Sequence, residues 1–294
     1  MVSVTTICTG NEAFKDFVLM VRSIELFEHS KPTLYVATDD KTKPLIEATK
    51  YKGTIKTYTI MNDFVGQTRK MMEASHGKRY PSLFHDYTAM KLDILKIALD
   101  DTNQPVFFLD CDICLLAPLP LSELSSTIKL GLSPHYIRVR DEELFGRYNA
   151  GYLYIADKEL LNVWRAAIYG SRFFEQAALE DLAKSVKSDE LYEFPDSHNF
   201  GWWRMYQSFK TPAEQVVRFG INRKVGAGIS LDSKPLNSIH THFGERTSST
   251  ESFNVFIISQ LKKLERAHKP AEYLLKSIQA LRPEEKKSDK IRHE

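Results

Sequence analysis

With 294 residues, 43% hydrophobic and 27% charged, the chain can bury one large α/β core or two small ones. A net charge of +2 excludes a general nucleic-acid binder, and three cysteines exclude a disulfide framework and point to a reducing, cytoplasmic setting. No apolar run approaches the roughly 20 residues that span a bilayer, so no transmembrane segment is expected.

Val2 to Cys8 reads as a first strand, not a signal peptide, because MVSVTTICTG carries no basic region. Thr9-Gly10-Asn11 forms the turn after it. Ala13, Phe17, Met20, Val21, Ile24 and Phe27 then share one helical stripe. Strands are expected at Thr33–Ala37, ending in Thr38-Asp39-Asp40, and at Thr54–Ile60, with a short helix from Pro44 to Lys50 between them. Residues 61–87 are polar and irregular and suggest a mobile flap. Thr88 to Leu99 has a strong helical pattern, with Lys91 near its start.

Asn103-Gln104-Pro105 introduces the unbroken apolar run Val106–Leu109, which reads as a buried strand and ends in Asp110 and Asp112. Two carboxylates that close repel one another and are costly to desolvate unless something positive sits between them. A hard divalent cation meets that need and leaves coordination positions for phosphate oxygens. Cys111 and Cys114 flank Asp112, but a lone C-x-x-C that overlaps the aspartates reads as two small buried residues.

Further strands are expected at Ile128–Leu132 and at Gly151–Ala156, the latter preceded by Tyr148-Asn149-Ala150. Helices follow from Asp157 to Ile168 and from Phe174 to Val186. DSHNFGWWRMYQ (196–207) is rich in aromatics, and SIHTHFGERT (238–247) reads as a last strand running into a loop. Residues 254–282 are helical with a break at Pro270. The alternation of strands and helices implies a parallel sheet covered on both faces, with residues 1–253 as one domain. Residues 254–294 form a helical extension that ends in a mobile basic tail. Residues 261–294 hold ten Lys/Arg and six Asp/Glu, so the tail is either a solvated end or a peripheral contact to an anionic surface.

In a parallel sheet, Thr9, Gly10, Asn11 and Asp39 emerge at the same edge as the aspartate pair. Asp there suits a ribose hydroxyl, and Asn and backbone amides suit a base; turn and cap roles are the alternative. His240 and His242 alternate, so both face one side or one lies at the strand's end. An imidazole is a good third ligand for Mn2+ beside carboxylates.

Taken in order, FFLDCDICLLAPL, YNAGYLYIADKE, FFEQAALEDL and HTHFGE resemble nucleotide-sugar glycosyltransferases of the GT-A fold. The similarity spans most of residues 1–250. It implies a mixed, mostly parallel sheet flanked by helices. It further implies that Asp110 and Asp112, with Cys111 between them, hold Mn2+ or Mg2+ against a nucleoside diphosphate, UDP above all. His242 stands where several such families place a late histidine ligand, although Glu245-Arg246-Thr247 replaces their usual lysine and Pro-Trp. Asn149, Ala150 and Gly151 would line the sugar pocket, and Lys91 would reach the donor.

Loss of a nucleoside diphosphate from an anomeric carbon develops charge that a bound metal stabilises. An inverting enzyme also needs a carboxylate base for the hydroxyl of a saccharide acceptor. Glu175 is the first candidate, against a plain role at a helix N-terminus, and Asp196 is the second. Trp202, Trp203 and Tyr206 either stack on acceptor sugars or pack in the core. Two rival readings are a phosphatase of the haloacid-dehalogenase type, with Asp110 as nucleophile, and a non-catalytic carbohydrate-binding protein of the same fold.

Overall fold

The computed structural model describes residues 2–282; the tail expected to be mobile, 283–294, lies outside them. The chain runs β1 (Ser3–Ile7), α1 (Gly10–Phe27), β2 (Leu34–Ala37), α2 (Lys43–Glu47) and β3 (Ile55–Tyr58). It continues through α3 (Arg69–Ala74), α4 (Leu83–Thr102), β4 (Val106–Leu109), β5 (Ile113–Leu115), β6 (Leu130–Pro134), α5 (Val139–Phe145) and β7 (Tyr148–Ile155). Then come α6 (Leu160–Ile168), α7 (Phe174–Ala177), α8 (Leu179–Lys184), β8 (Leu191–Glu193), β9 (Phe200–Gly201), α9 (Trp202–Tyr206) and α10 (Pro212–Val216). The last elements are β10 (Phe219–Ile221), β11 (Ile229–Leu231), β12 (Lys234–Pro235), β13 (Ser238–His240), α11 (Ser248–Leu264) and α12 (Lys269–Leu281).

Seven strands form the main sheet in the order β3-β2-β1-β4-β7-β6-β8. Only β7 runs against its neighbours β4 and β6; the remaining pairs are parallel. This is the mixed, mostly parallel sheet that the motif order implies. The side-chain alternation of β4 explains the two layers above and below it. Phe107 and Leu109 enter one apolar cluster with α1, α11 and α12, whereas Val106 and Phe108 enter a second with α4 and α6. Phe253, Ile257, Leu261, Leu274 and Ile278 are all fully buried in the first cluster, so the C-terminal helices dock on the domain, α12 against α1 and α11 against α9.

Several elements differ from the sequence expectation for local reasons. Residues 61–87 are not an irregular flap throughout: they carry α3, capped by Thr68, and the first turn of α4. The Ser82 hydroxyl accepts from the His85 amide and starts α4 five residues early. The helix expected over 174–186 divides into α7 and α8 at Ala178. The break expected at Pro270 falls just before it, at 265–268 between α11 and α12, and Pro270 sits in the first turn of α12, where its missing N–H is not needed.

A second, three-stranded sheet has the order β5-β13-β9. Its register sets His240 opposite both Ile113 and Gly201. Asp112 directly precedes Ile113, so this pairing carries a residue from the end of the chain to the aspartates.

Candidate active site and metal centre

The backbone leaves the main sheet at the end of β4, where the Asp110 amide donates to Gly151 O (2.8 Å) on β7. Gly151 is required there because a Cβ would fall on the Asp110 carboxylate and the His240 ring. The glycine that follows Asn149-Ala150 is thus a gap into which Asp110 and His240 close.

Ligand atoms of Asp110, Asp112 and His240 all lie within 4.8 Å of one another. His240 Nε2 is 3.1 Å from Asp112 Oδ2 and 3.9 Å from Asp110 Oδ2. His242, two residues beyond β13, brings its Nε2 to 3.3 Å from the same Asp112 oxygen. Burial pushes the Asp112 carboxyl up, but His240 and His242 outweigh it and hold the group well below the usual range. Asp110 goes the other way: burial raises it against the pull of Lys91, and the charge on Asp112 adds to the rise. His242 is pushed up to about 10, chiefly by Asp112, against its partial burial. Two hard carboxylates and an imidazole suit Mn2+ or Mg2+.

Lys91, buried on α4, is the second hub. Its ammonium lies 3.2 Å from Asp110 Oδ1 and 2.9 Å from Glu175 Oε1, and it donates to Ala150 O at 3.1 Å. Burial disfavours its charge, but Asp110 and Glu175 more than compensate and raise its pKa. A cleft of about 510 Å3 opens over both hubs. Of the expected site residues, Lys91, Asp110, Cys111, Asp112, Asn149, Glu175 and His242 line it. Ala150 and Gly151 contribute backbone groups behind the wall.

Other expected residues stand elsewhere. The Asp39 carboxylate, 2% exposed, is consumed in its own turn. It accepts from the amides of Lys41 and Thr42 and from the Thr42 hydroxyl. Gly10 donates to Thr42 Oγ1, Asn11 is exposed, and Thr9 is the residue before α1 and makes no side-chain cap there. Asp196 is not brought to the cleft; its carboxylate is ion-paired with Arg218. Trp202 and Trp203 do line the cleft, and the Trp203 ring sits edge-on to His240 at 5.0 Å.

Three residues escaped the sequence reading. Asn199 takes the left-handed backbone region (φ 53°) that asparagine tolerates. Its Nδ2 donates to Asn149 Oδ1 (2.9 Å) and Ser133 Oγ (3.1 Å), which leaves Oδ1 for His240 Nδ1 (2.9 Å). Arg204 is 1% exposed, and its guanidinium donates to the carbonyls of His135, Asp196, His198 and Pro134. It thereby fixes the loop that presents Asn199. Asp16, on α1, bonds His242. A helical period through Ala13 and Met20 also passes Asp16, and a carboxylate on that buried stripe was a signal to look for its partner.

No family model matches the sequence, and no curated protein matches it. Solved structures match by shape. The galactosyltransferase LgtC in complex with donor and acceptor sugar analogues aligns with 87% of this chain and 94% of its own. The TM-score is 0.56 at 16% identity. An active-site mutant of LgtC aligns with 88% of this chain and 96% of its own, with a TM-score of 0.53 at 16% identity. The chain therefore shares the fold of these structures, the GT-A fold, and its aspartate pair and His240 cluster as a possible metal site.

Proposed function

We propose that this chain is a metal-dependent glycosyltransferase that moves a hexosyl or pentosyl group from a nucleoside-diphosphate sugar, with UDP as the nucleotide, to a hydroxyl of a saccharide acceptor. One observation carries the reading: Asp110, Asp112 and His240 converge at the floor of a cleft on a fold shared with a galactosyltransferase. In this reading Asp110 and Asp112, with His240 and His242, hold Mn2+ or Mg2+. The bound ion supplies electrostatic stabilisation of the charge that builds on the departing diphosphate.

The remaining roles fall to the chain's own groups. Lys91 keeps a fixed positive charge between Asp110 and the cleft wall. Asn149 and the backbone of Ala150 and Gly151 orient the donor sugar. Glu175 is the candidate base, and for that role it must leave Lys91 as the acceptor enters. Trp202 and Trp203 offer apolar faces to an acceptor ring. Three free thiols, Cys8, Cys111 and Cys114, accord with work in a reducing compartment such as the cytoplasm. No helix among the described residues is long and apolar enough to cross a membrane. The boundary expected at 253/254 falls inside α11 (Ser248–Leu264), so the helical extension docked on the catalytic domain is read as α11 and α12 together.

The test is a panel of nucleotide sugars assayed with Mn2+ for donor hydrolysis and for transfer to saccharides. Glu175→Gln should lose transfer more than donor hydrolysis if Glu175 is the base. If no nucleotide sugar turns over, and a nucleoside diphosphate with Mn2+ does not raise the melting temperature, the reading fails. Melting protection without turnover would instead favour the non-catalytic binding protein.

A further inference from the structure

Asp16 lies on the face of α1 turned to the core, 7% exposed, beside the fully buried Phe17 and Met20. A carboxylate on such a stripe is costly to keep without a partner. Among the described residues one side-chain hydrogen bond serves it, from His242 Nδ1 to Oδ2 at 2.7 Å. The opposite nitrogen, Nε2, lies 3.3 Å from Asp112 Oδ2. His240 repeats the arrangement with a neutral partner: Nδ1 meets Asn199 Oδ1 at 2.9 Å, and Nε2 lies 3.1 Å from the same Asp112 oxygen.

An acceptor on Nδ1 decides where an imidazole keeps its proton. With the N–H pinned at Nδ1, the Nε2 lone pair is left to face a ligand. The two rings need such help unequally. His240 is walled in, 7% exposed and against the Trp203 ring, so its orientation is set by packing as well as by Asn199. The His242 side chain is 54% exposed. Its orientation depends on the Asp16 contact, and a carboxylate also makes the ring a more basic donor than an amide does.

We infer that Asp16 is a positioning residue of the metal centre: it fixes His242 with Nε2 turned to Asp112, so that this histidine can join the ligands of a divalent cation. The inference rests on the metal-dependent reading above. Asp16 stands on the Nδ1 side of the ring and Asp112 on the Nε2 side, so its contact with the site runs through His242.

Mn2+ binding to the purified full chain, followed by calorimetry together with melting temperature in the absence of metal, tests it. Asp16→Ala should weaken Mn2+ binding about ten- to a hundredfold. Asp16→Asn should weaken it less, since the amide oxygen still accepts the Nδ1 proton, and its metal-free melting temperature should not fall. In a His242→Ala background, Asp16→Ala should change Mn2+ affinity no further. Wild-type affinity in Asp16→Ala, or an undiminished loss in the His242→Ala background, overturns the positioning role. A wild-type chain that binds no Mn2+ overturns the metal reading itself and the inference with it.

Discussion

Asp39 and the pair Asp110–Asp112 leave the same edge of one sheet, after strands that both flank β1, yet their carboxylates meet opposite fates. Asp39 is satisfied within three residues of itself by the Lys41 and Thr42 amides and the Thr42 hydroxyl. Asp110 and Asp112 find their main partners on α4, on β13 and beyond β13, in Lys91, His240 and His242. The difference teaches how to tell a structural carboxylate from a chemical one. A carboxylate bonded by its own turn has little capacity left for a ligand. Two that crowd together at a cleft and draw on side chains from distant elements keep the capacity to bind a cation.

The sharpest way to break this contrast is Asp112→Asn. We expect transfer to fall by at least about a hundredfold, the scale of losing one strong electrostatic contact in a transition state. The metal-free melting temperature should drop modestly, because His240 and His242 lose the carboxylate that faces them, while the fold is kept. Steady-state kinetics and a melting curve check both halves; a variant that unfolds, or one that keeps full activity, refutes the assignment.

Gly151→Ala probes the gap that lets the pair close. The added methyl would meet Asp110 and His240, so Mn2+ affinity should drop about tenfold or more, with the fold retained by circular dichroism. Unchanged affinity would mean that the two groups need not approach so closely.

Asp39→Ala supplies the mirror image. Loss of the turn bonds should cost about 1–2 kcal/mol in urea unfolding and leave Mn2+ affinity unaltered. Lost Mn2+ affinity without lost stability would place Asp39 among the chemical carboxylates after all.

The smallest effect concerns the loop that carries Asn199. Burial, reinforced by Arg204, holds His198 down at about 4, below its ordinary 6.5. The unfolded chain therefore binds the proton first as the pH drops. The stabilisation is fully present above about 6.5 and is lost as pH falls toward about 4. The slope is at most about 1.4 kcal/mol per pH unit from this group. Urea titrations at about pH 7 and about pH 5 should show a shallower decline in His198→Gln than in the wild type; equal declines would remove His198 as the cause.

Much of this was open to reading before any coordinates. The apolar run Val106–Leu109 with its paired aspartates, the Asn149-Ala150-Gly151 strand and the stripe on α1 are local patterns, short apolar runs or a period of 3.6, and such patterns report which stretch or face is buried. The GT-A sheet was implied by the family resemblance that the ordered motifs carry, not by their periodicity. Patterns of this kind say nothing about which distant side chains meet. Asp16 and His242 are 226 positions apart and Asn199 and His240 are 41 apart; each pair exists only because β13 slides between β5 and β9 in one register. The same blindness explains Asp39 and Asp196, whose residue type fitted a site but whose nearest partners, Thr42 and Arg218, claimed them. Local sequence determined the strands, the stripes and the acidic pair. Packing of the two sheets against α1 and α4 decided which carboxylates were satisfied at home and which were left facing the cleft.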